Sequence, residues 1–180
     1  MKLKISNNLY IKKNSNPLII AEISANHTGK KKLFLDHIRS AAKNGADLIK
    51  IQTYEPEDIT LRLKTKKFLI KSGTWRGKNL WDLYSNGFTP FSWHKDAFKL
   101  AKKLKIPIFS SPFSKRAVDL LESLKTPIYK IASFEITDLS LIDYVARKKK
   151  PIIISTGMAT LTEIKRAIKT IEKYHNKIVI

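Results

Sequence analysis

The chain has 180 residues and is 43% hydrophobic, enough to bury one sizeable core. It lacks an apolar run of membrane-spanning length, an apolar centre of signal-peptide type near the N-terminus, and any cysteine. A disulfide scaffold and a thiolate metal site are therefore excluded, and a cytoplasmic setting is expected. The net charge of +20, from 35 Lys and Arg against 15 Asp and Glu, brings anionic partners into view. Yet the cations fall in short pieces such as Lys30–Lys32, Lys64–Lys67 and Arg147–Lys150, with no basic stripe interleaved with aromatics. Solvated surface lysine is the expectation, with neither nucleic acid nor membrane as a partner.

Residues 1–16 read as a polar, lysine-rich leader with at most one short edge strand. Pro17 opens a buried strand, Leu18 to Ser24, that ends in Glu22, Ser24, Asn26 and His27. Helical spacing of Leu33, His37, Ile38, Ala41 and Ala42 predicts a helix from about Lys31 to Asn44, stopped by Gly45. Asp47 to Thr53 is a second β-branched strand with Lys50 and Gln52 on one face. Pro56 through Gly87 reads as irregular, and its length suggests a functional lid. Thr89-Pro90 predicts a capped helix start, with the helix running to about Leu104.

Ile106 to Ser110 is the third strand, and Ser114 is placed to cap the helix carrying Ala117, Val118, Leu121 and Leu124. Ile128 to Glu135 reads as a short buried strand ending in polar groups, followed by a helix signal at Thr137-Asp138. A fifth strand, Pro151 to Ser155, precedes the capping box Thr160-Leu-Thr-Glu163 and its helix. Lys177 to Ile180 looks like a sixth strand just begun.

Strict βα alternation implies a parallel sheet with helices outside, either an open doubly wound sheet or a (β/α)8 TIM barrel. Glu22, Lys50 and Gln52, Ser110 and Ser111, Lys130 to Glu135, and Ser155-Thr156 all fall at C-terminal strand ends. That distribution favours a barrel, whose sites are assembled from many strand ends on one face, over the single switch point of an open sheet. A whole barrel needs about 250 residues. Five βα units and a strand stub are thus expected to be the N-terminal portion, 17–180, of a longer one.

Lys50 and Lys130, flanked by Ser133 and Ser155, form a plausible site for a small multiply charged anion. Without a Walker loop or GxGxxG, a nucleotide is not the natural ligand. Glu22 and Glu135 either handle hydroxyls and protons or serve as counter-charges for the two lysines. His27 is a ligand, an acid/base group or a structural histidine. His37, His94 and His175 carry no pattern, and no residues have metal-site spacing.

Five segments carry a family likeness: Ile20–His27, Gly45–Thr53, Phe109–Phe113, Tyr129–Glu135 and Ile154–Gly157. In this order they resemble the sialic acid synthase family. Gly73-Thr-Trp75, Leu80–Tyr84 and Thr89–His94 are similar to its pseudaminic acid synthase branch. The resemblance implies condensation of phosphoenolpyruvate with an N-acetylated amino sugar, releasing phosphate and forming a nine-carbon 2-keto acid. It implies that Lys50, Lys130, Ser133 and Ser155 grip the phosphate and carboxylate of phosphoenolpyruvate. Glu22 would contact a sugar hydroxyl, and Glu135 would handle a proton at the reacting centre. It also implies a divalent metal (Mn²⁺ or Mg²⁺) held by two histidines on later strands outside this chain. A homodimer is implied in turn, completed by a C-terminal antifreeze-like domain that this chain lacks.

Two rival readings are a Schiff-base aldolase using Lys130 or Lys50 as the amine nucleophile, and a non-catalytic basic binding module.

Overall fold

A computed structural model describes residues 2–6, 9–12 and 14–180. Two short strands, β1 (Lys2–Ser6) and β2 (Leu9–Lys12), pair antiparallel. The remaining strands form one parallel sheet: β3 (Ile20–Glu22), β4 (Leu48–Thr53), β5 (Ile108–Pro112), β6 (Tyr129–Ile131), β7 (Ile152–Ile154) and β8 (Ile178–Val179). They lie side by side in chain order, with no strand skipped. A doubly wound sheet would reverse its order at a switch point. Sequential winding instead makes this six-stranded sheet a half-barrel.

Between the strands run α1 (Lys31–Lys43), α2 (Pro56–Ile59), α3 (Leu80–Gly87), α4 (Phe91–Lys103), α5 (Lys115–Ser123), α6 (Leu139–Ala146) and α7 (Leu161–Glu172). Alternation along each strand sorts the core. Ile49 and Ile51 of β4 face outward onto Phe34 and Ile38 of α1 and Ala97 and Ala101 of α4. Tyr129, Ile131, Ile152 and Ile154 do the same against α5, α6 and α7. The opposite parity, Leu48, Phe109 and Ile128, meets Leu3 and Ile5 of the hairpin instead. One residue pair further along each strand, the same inner face turns polar, with Lys50, Ser111 and Lys130. The sheet thus has an apolar base, plugged by β1 and β2, and a polar top.

The first sixteen residues, expected as a polar leader, therefore hold a hairpin whose buried side chains cover the base of the sheet. Its alternation of exposed Lys2 and Lys4 with buried Leu3 and Ile5 is a strand pattern masked by lysine content.

The segment expected to be irregular contains α2, a 3-10 turn at Lys66–Phe68, and α3. Asn79 caps α3 by accepting the Trp81 N–H at 2.9 Å, and its amide donates to the Leu63 carbonyl at 2.9 Å. Ser114, Asp138 and Thr160 cap α5, α6 and α7 as anticipated, the last with Glu163 completing its box. Thr89 does not cap α4. Pro90 occupies the cap position without a side-chain bond, and the Thr89 hydroxyl lies 3.1 Å from Nε2 of His27. The strand expected over Ile128–Glu135 is shorter: β6 ends at Ile131, and Phe134–Thr137 winds into a 3-10 turn that turns Glu135 back over the sheet end.

Candidate active site

A cavity of about 600 Å³ opens at the C-terminal ends of β4, β5 and β6. Gln52, Tyr54, Tyr84, Lys130, Ser133 and Glu135 line it. Lys130 projects from the inner face of β6 because its neighbours Tyr129 and Ile131 are committed to the helix side. Burial pushes its ammonium below the ordinary lysine value, and the nearby Lys50 adds to this, against the opposing pull of Glu22 and Glu135. Among the described residues Lys130 makes no ion pair.

Lys50 is different. It stands opposite Glu22 in the β3–β4 register, and the two side chains form an ion pair. The other Glu22 oxygen accepts the Ser24 N–H at 2.9 Å. The counter-charge reading thus applies to Glu22 and Lys50, and neither lines this cavity.

Glu135 behaves as a carboxyl held out of water. Burial pushes its pKa up, only partly offset by a backbone hydrogen bond and by Lys130. One of its oxygens is buried without a partner, as is the Ser111 hydroxyl. Both atoms lie on the inner face at the C-terminal strand ends, without a partner among the described residues.

Ser133 lies beyond the end of β6, packed so tightly that a Cβ on Gly157 would meet its hydroxyl at 3.0 Å. Ser155 lies at the end of β7, its N–H donated to the Ile131 carbonyl at 3.0 Å. The structure therefore groups Lys130, Ser133 and Glu135 in the cavity. Lys50 and Glu22 stand as a pair beside it, and Ser155 stands one strand away.

Ser110, counted in the polar ring, faces the other way. Its hydroxyl is 2.6 Å from that of Thr53, which is 2.9 Å from Nε2 of His94, a buried network behind the sheet. Burial lowers the His94 pKa to about 4, which keeps the ring neutral.

Three aromatic walls were not anticipated. Tyr54 meets Tyr84 and Phe113 edge to face at 6.0 and 5.3 Å, and burial pushes its phenol up to about 12. Tyr54 continues the alternation Lys50, Gln52, Tyr54, and Phe113 continues Phe109, Ser111, so parity carried the signal. Tyr84 comes from α3, where no strand alternation pointed to the site. Among the described residues no three His, Asp or Glu side chains come together as a metal-ligand set.

Comparison with known proteins places this geometry. Pseudaminic acid synthase of Helicobacter pylori is 48% identical over 160 residues, covering 89% of this chain and 47% of its own. N,N'-diacetyllegionaminic acid synthase of Campylobacter jejuni is 36% identical over 157 residues, covering 87% and 47%. The structure of N-acetylneuraminic acid synthetase from Leptospira borgpetersenii, in complex with citrate, superposes with a TM-score of 0.84 at 26% identity. That match covers 99% of this chain and 57% of the synthetase. The chain spans about half the length of the curated relatives it matches. Residues 37–180 match the model of the NeuB family, and the chain belongs to that family.

Proposed function

We propose that the chain is the N-terminal part of a (β/α)8 synthase that joins phosphoenolpyruvate to an N-acetylated amino sugar. In this reaction the methylene carbon of phosphoenolpyruvate bonds to the sugar aldehyde carbon. Phosphate leaves, one water completes the oxygen balance, and a nine-carbon 2-keto acid results. Kinship with sialic-acid-type synthases supports the reaction class. The observation that carries the reading is Lys130: a cation in a cavity, depressed by burial and by Lys50, with no ion-pair partner among the described residues. Such a charge is stabilised by an anion, and phosphoenolpyruvate brings both a phosphate and a carboxylate.

In the proposed complex Lys130, Lys50, Ser133 and Ser155 hold those two groups. Glu22, already bonded to Lys50, accepts a hydroxyl of the open-chain sugar. Glu135, with its raised pKa, is the group that carries a proton to or from the reacting centre. A divalent metal, Mn²⁺ or Mg²⁺, belongs to the whole-protein reaction as its electrophilic aid. The described residues offer it no ligand set, so no step here runs through it. A homodimeric whole protein working in the cytoplasm, free of nucleic acid, completes the proposal. No helix among the described residues is long and apolar enough to cross a membrane.

The second reading, a Schiff-base aldolase, draws on the same depressed Lys130. Borohydride reduction in the presence of a keto acid, followed by mass spectrometry, separates the two. The synthase reading expects phosphoenolpyruvate to bind without any lysine adduct. A reduced adduct on Lys130 or Lys50 would replace it with the aldolase.

A further inference from the structure

The turn that follows β3 begins directly after Glu22, and its backbone is unusual. Ser24 and Thr28 adopt φ of +50° and +46°, and Gly29 +72°. Left-handed backbone at two side-chain-bearing residues of one turn is costly and has to be held by the surrounding structure. Inside the turn, the Asn26 N–H and its side-chain amide both donate to the Ile23 carbonyl, at 3.3 and 2.9 Å. These bonds shape the turn without tethering it. His37 offers a tether to the Asn26 carbonyl, at 3.3 Å and in an exposed position.

The buried tether is His27. Its side chain is fully buried, edge-on to Phe34 and Trp93 at 5.9 and 5.4 Å. Nδ1 accepts the Gly29 N–H at 3.1 Å, which fixes the neutral Nε2–H tautomer. Nε2–H then donates to the Thr89 hydroxyl at 3.1 Å, across 62 residues of chain. Thr89 is itself buried, and its hydroxyl is not used as a helix cap, since Pro90 takes the cap position of α4.

We propose that His27 and Thr89 form a latch that sets the position of Glu22, making both positioning residues for the acceptor sugar. The latch pins the turn at its far end, while Glu22 holds the near end by accepting the Ser24 N–H. At that near end, in register across β3 and β4, the carboxylate is presented to Lys50. Without the latch the left-handed residues relax, the Ser24–Glu22 bond opens, and the carboxylate loses its aim. The role of Glu22 toward the sugar rests on the synthase reading; the latch itself does not.

The test is amide hydrogen exchange on the chain without ligand, read at Ser24, Gly29 and the core residue Ile51. Thr89→Val removes the acceptor at nearly constant shape and should speed exchange at Ser24 and Gly29 by about ten-fold or more, leaving Ile51 unchanged. Thr89→Ser should restore slow exchange. Unchanged exchange at Ser24 in Thr89→Val overturns the latch. If Thr89→Val unfolds the chain, imidazole nitrogen NMR of the wild type decides. A proton on Nε2 alone at neutral pH supports the latch, and a proton on Nδ1 overturns it.

Calorimetric titration of N-acetylmannosamine into the chain saturated with phosphoenolpyruvate then reads the consequence. Thr89→Val should weaken the sugar about ten-fold, with Thr89→Ser restoring it and phosphoenolpyruvate affinity unmoved. Absence of any phosphoenolpyruvate binding in the wild type counts against the synthase reading, while the exchange result still decides the latch.

Discussion

Glu22, at the end of β3, stands opposite Lys50 in the middle of β4, in an ion pair whose lysine side chain is 12% exposed and whose glutamate side chain is 38% exposed. The pair neutralises one of two neighbouring cations and leaves the other, Lys130, to the cavity. Lys130 is thus the cation left to face an incoming anion, with the carboxyl of Glu135 beside it in the cavity.

Removing the carboxylate should upset that balance. Glu22→Gln leaves Lys50 without its partner and places two cations side by side. Breaking a fully buried pair costs about 3–5 kcal/mol. With Glu22 partly solvated, a loss of about 1–3 kcal/mol is expected in urea unfolding. Phosphoenolpyruvate at saturating concentration should recover more stability in Glu22→Gln than in the wild type. Equal stability of the two proteins would mean that the pair is only a surface contact.

Lys130→Ala should weaken phosphoenolpyruvate binding by tens- to thousands-fold, since losing a partner of a buried anion costs about 2–5 kcal/mol. Because burial and Lys50 hold the Lys130 pKa below its ordinary 10.5, the ammonium is lost earlier than from a solvated lysine. Affinity should thus decline as pH rises through a range below 10.5, and Lys130→Ala should abolish that decline. An unchanged dissociation constant for Lys130→Ala by calorimetry would remove the proposed anion site.

Much of this site was legible because strand parity and cap chemistry are local. Lys50 and Gln52 share a face through alternation alone, and Ser114, Asp138 and Thr160 cap their helices through contacts three residues away. What local reading missed depends on distant partners. Thr89 has the chemistry of a helix cap, but His27 takes its hydroxyl. Ser110 and Ser111 look interchangeable in sequence, yet the buried Thr53–His94 network claims the first and leaves the second to the site. The hairpin was hidden for a different reason: only Leu3 and Ile5 of β1 are buried, so lysine dominates its composition.

Glu135 should give the protein a pH dependence of a particular sign. Its folded pKa lies above the ordinary 4.5, so on raising the pH the unfolded chain loses this proton first. The contribution of Glu135 to stability is present below 4.5 and is lost as pH rises through the folded pKa. Asp36, Asp96 and Asp143 have lowered pKa values and act in the opposite sense, below their ordinary 3.8. Glu135→Gln should therefore be more stable than wild type at neutral pH, with the advantage shrinking toward pH 4.5. Urea midpoints measured across that range check the sign. An advantage that grows on acidification would mean that Glu135 is stabilised as the anion, leaving it a counter-charge with no proton to handle.

The hairpin makes the last prediction. Leu3 and Ile5 are 8% and 4% exposed, and they pack on Leu48, Phe109 and Ile128, the apolar base of the inner sheet face. Leu9, Ile11 and Leu18 from the same N-terminal region pack against that layer as well, together with Ile153 of β7 and Val179 of β8. Truncating a buried isoleucine to alanine costs about 2–5 kcal/mol when the site cannot collapse. A two-stranded hairpin has little stability of its own, so it depends on this contact as much as the sheet does. Ile5→Ala should lower the unfolding free energy by about 2–4 kcal/mol, and Lys4→Ala, on the exposed side, by less than about 0.5 kcal/mol. If the hairpin lifts off before the sheet unfolds, limited proteolysis of Ile5→Ala will cut within the first sixteen residues. An apolar dye will then bind the uncovered Leu48–Phe109–Ile128 layer. Equal costs for Ile5→Ala and Lys4→Ala, with no early cleavage, would show that the base of the sheet is stable without its plug.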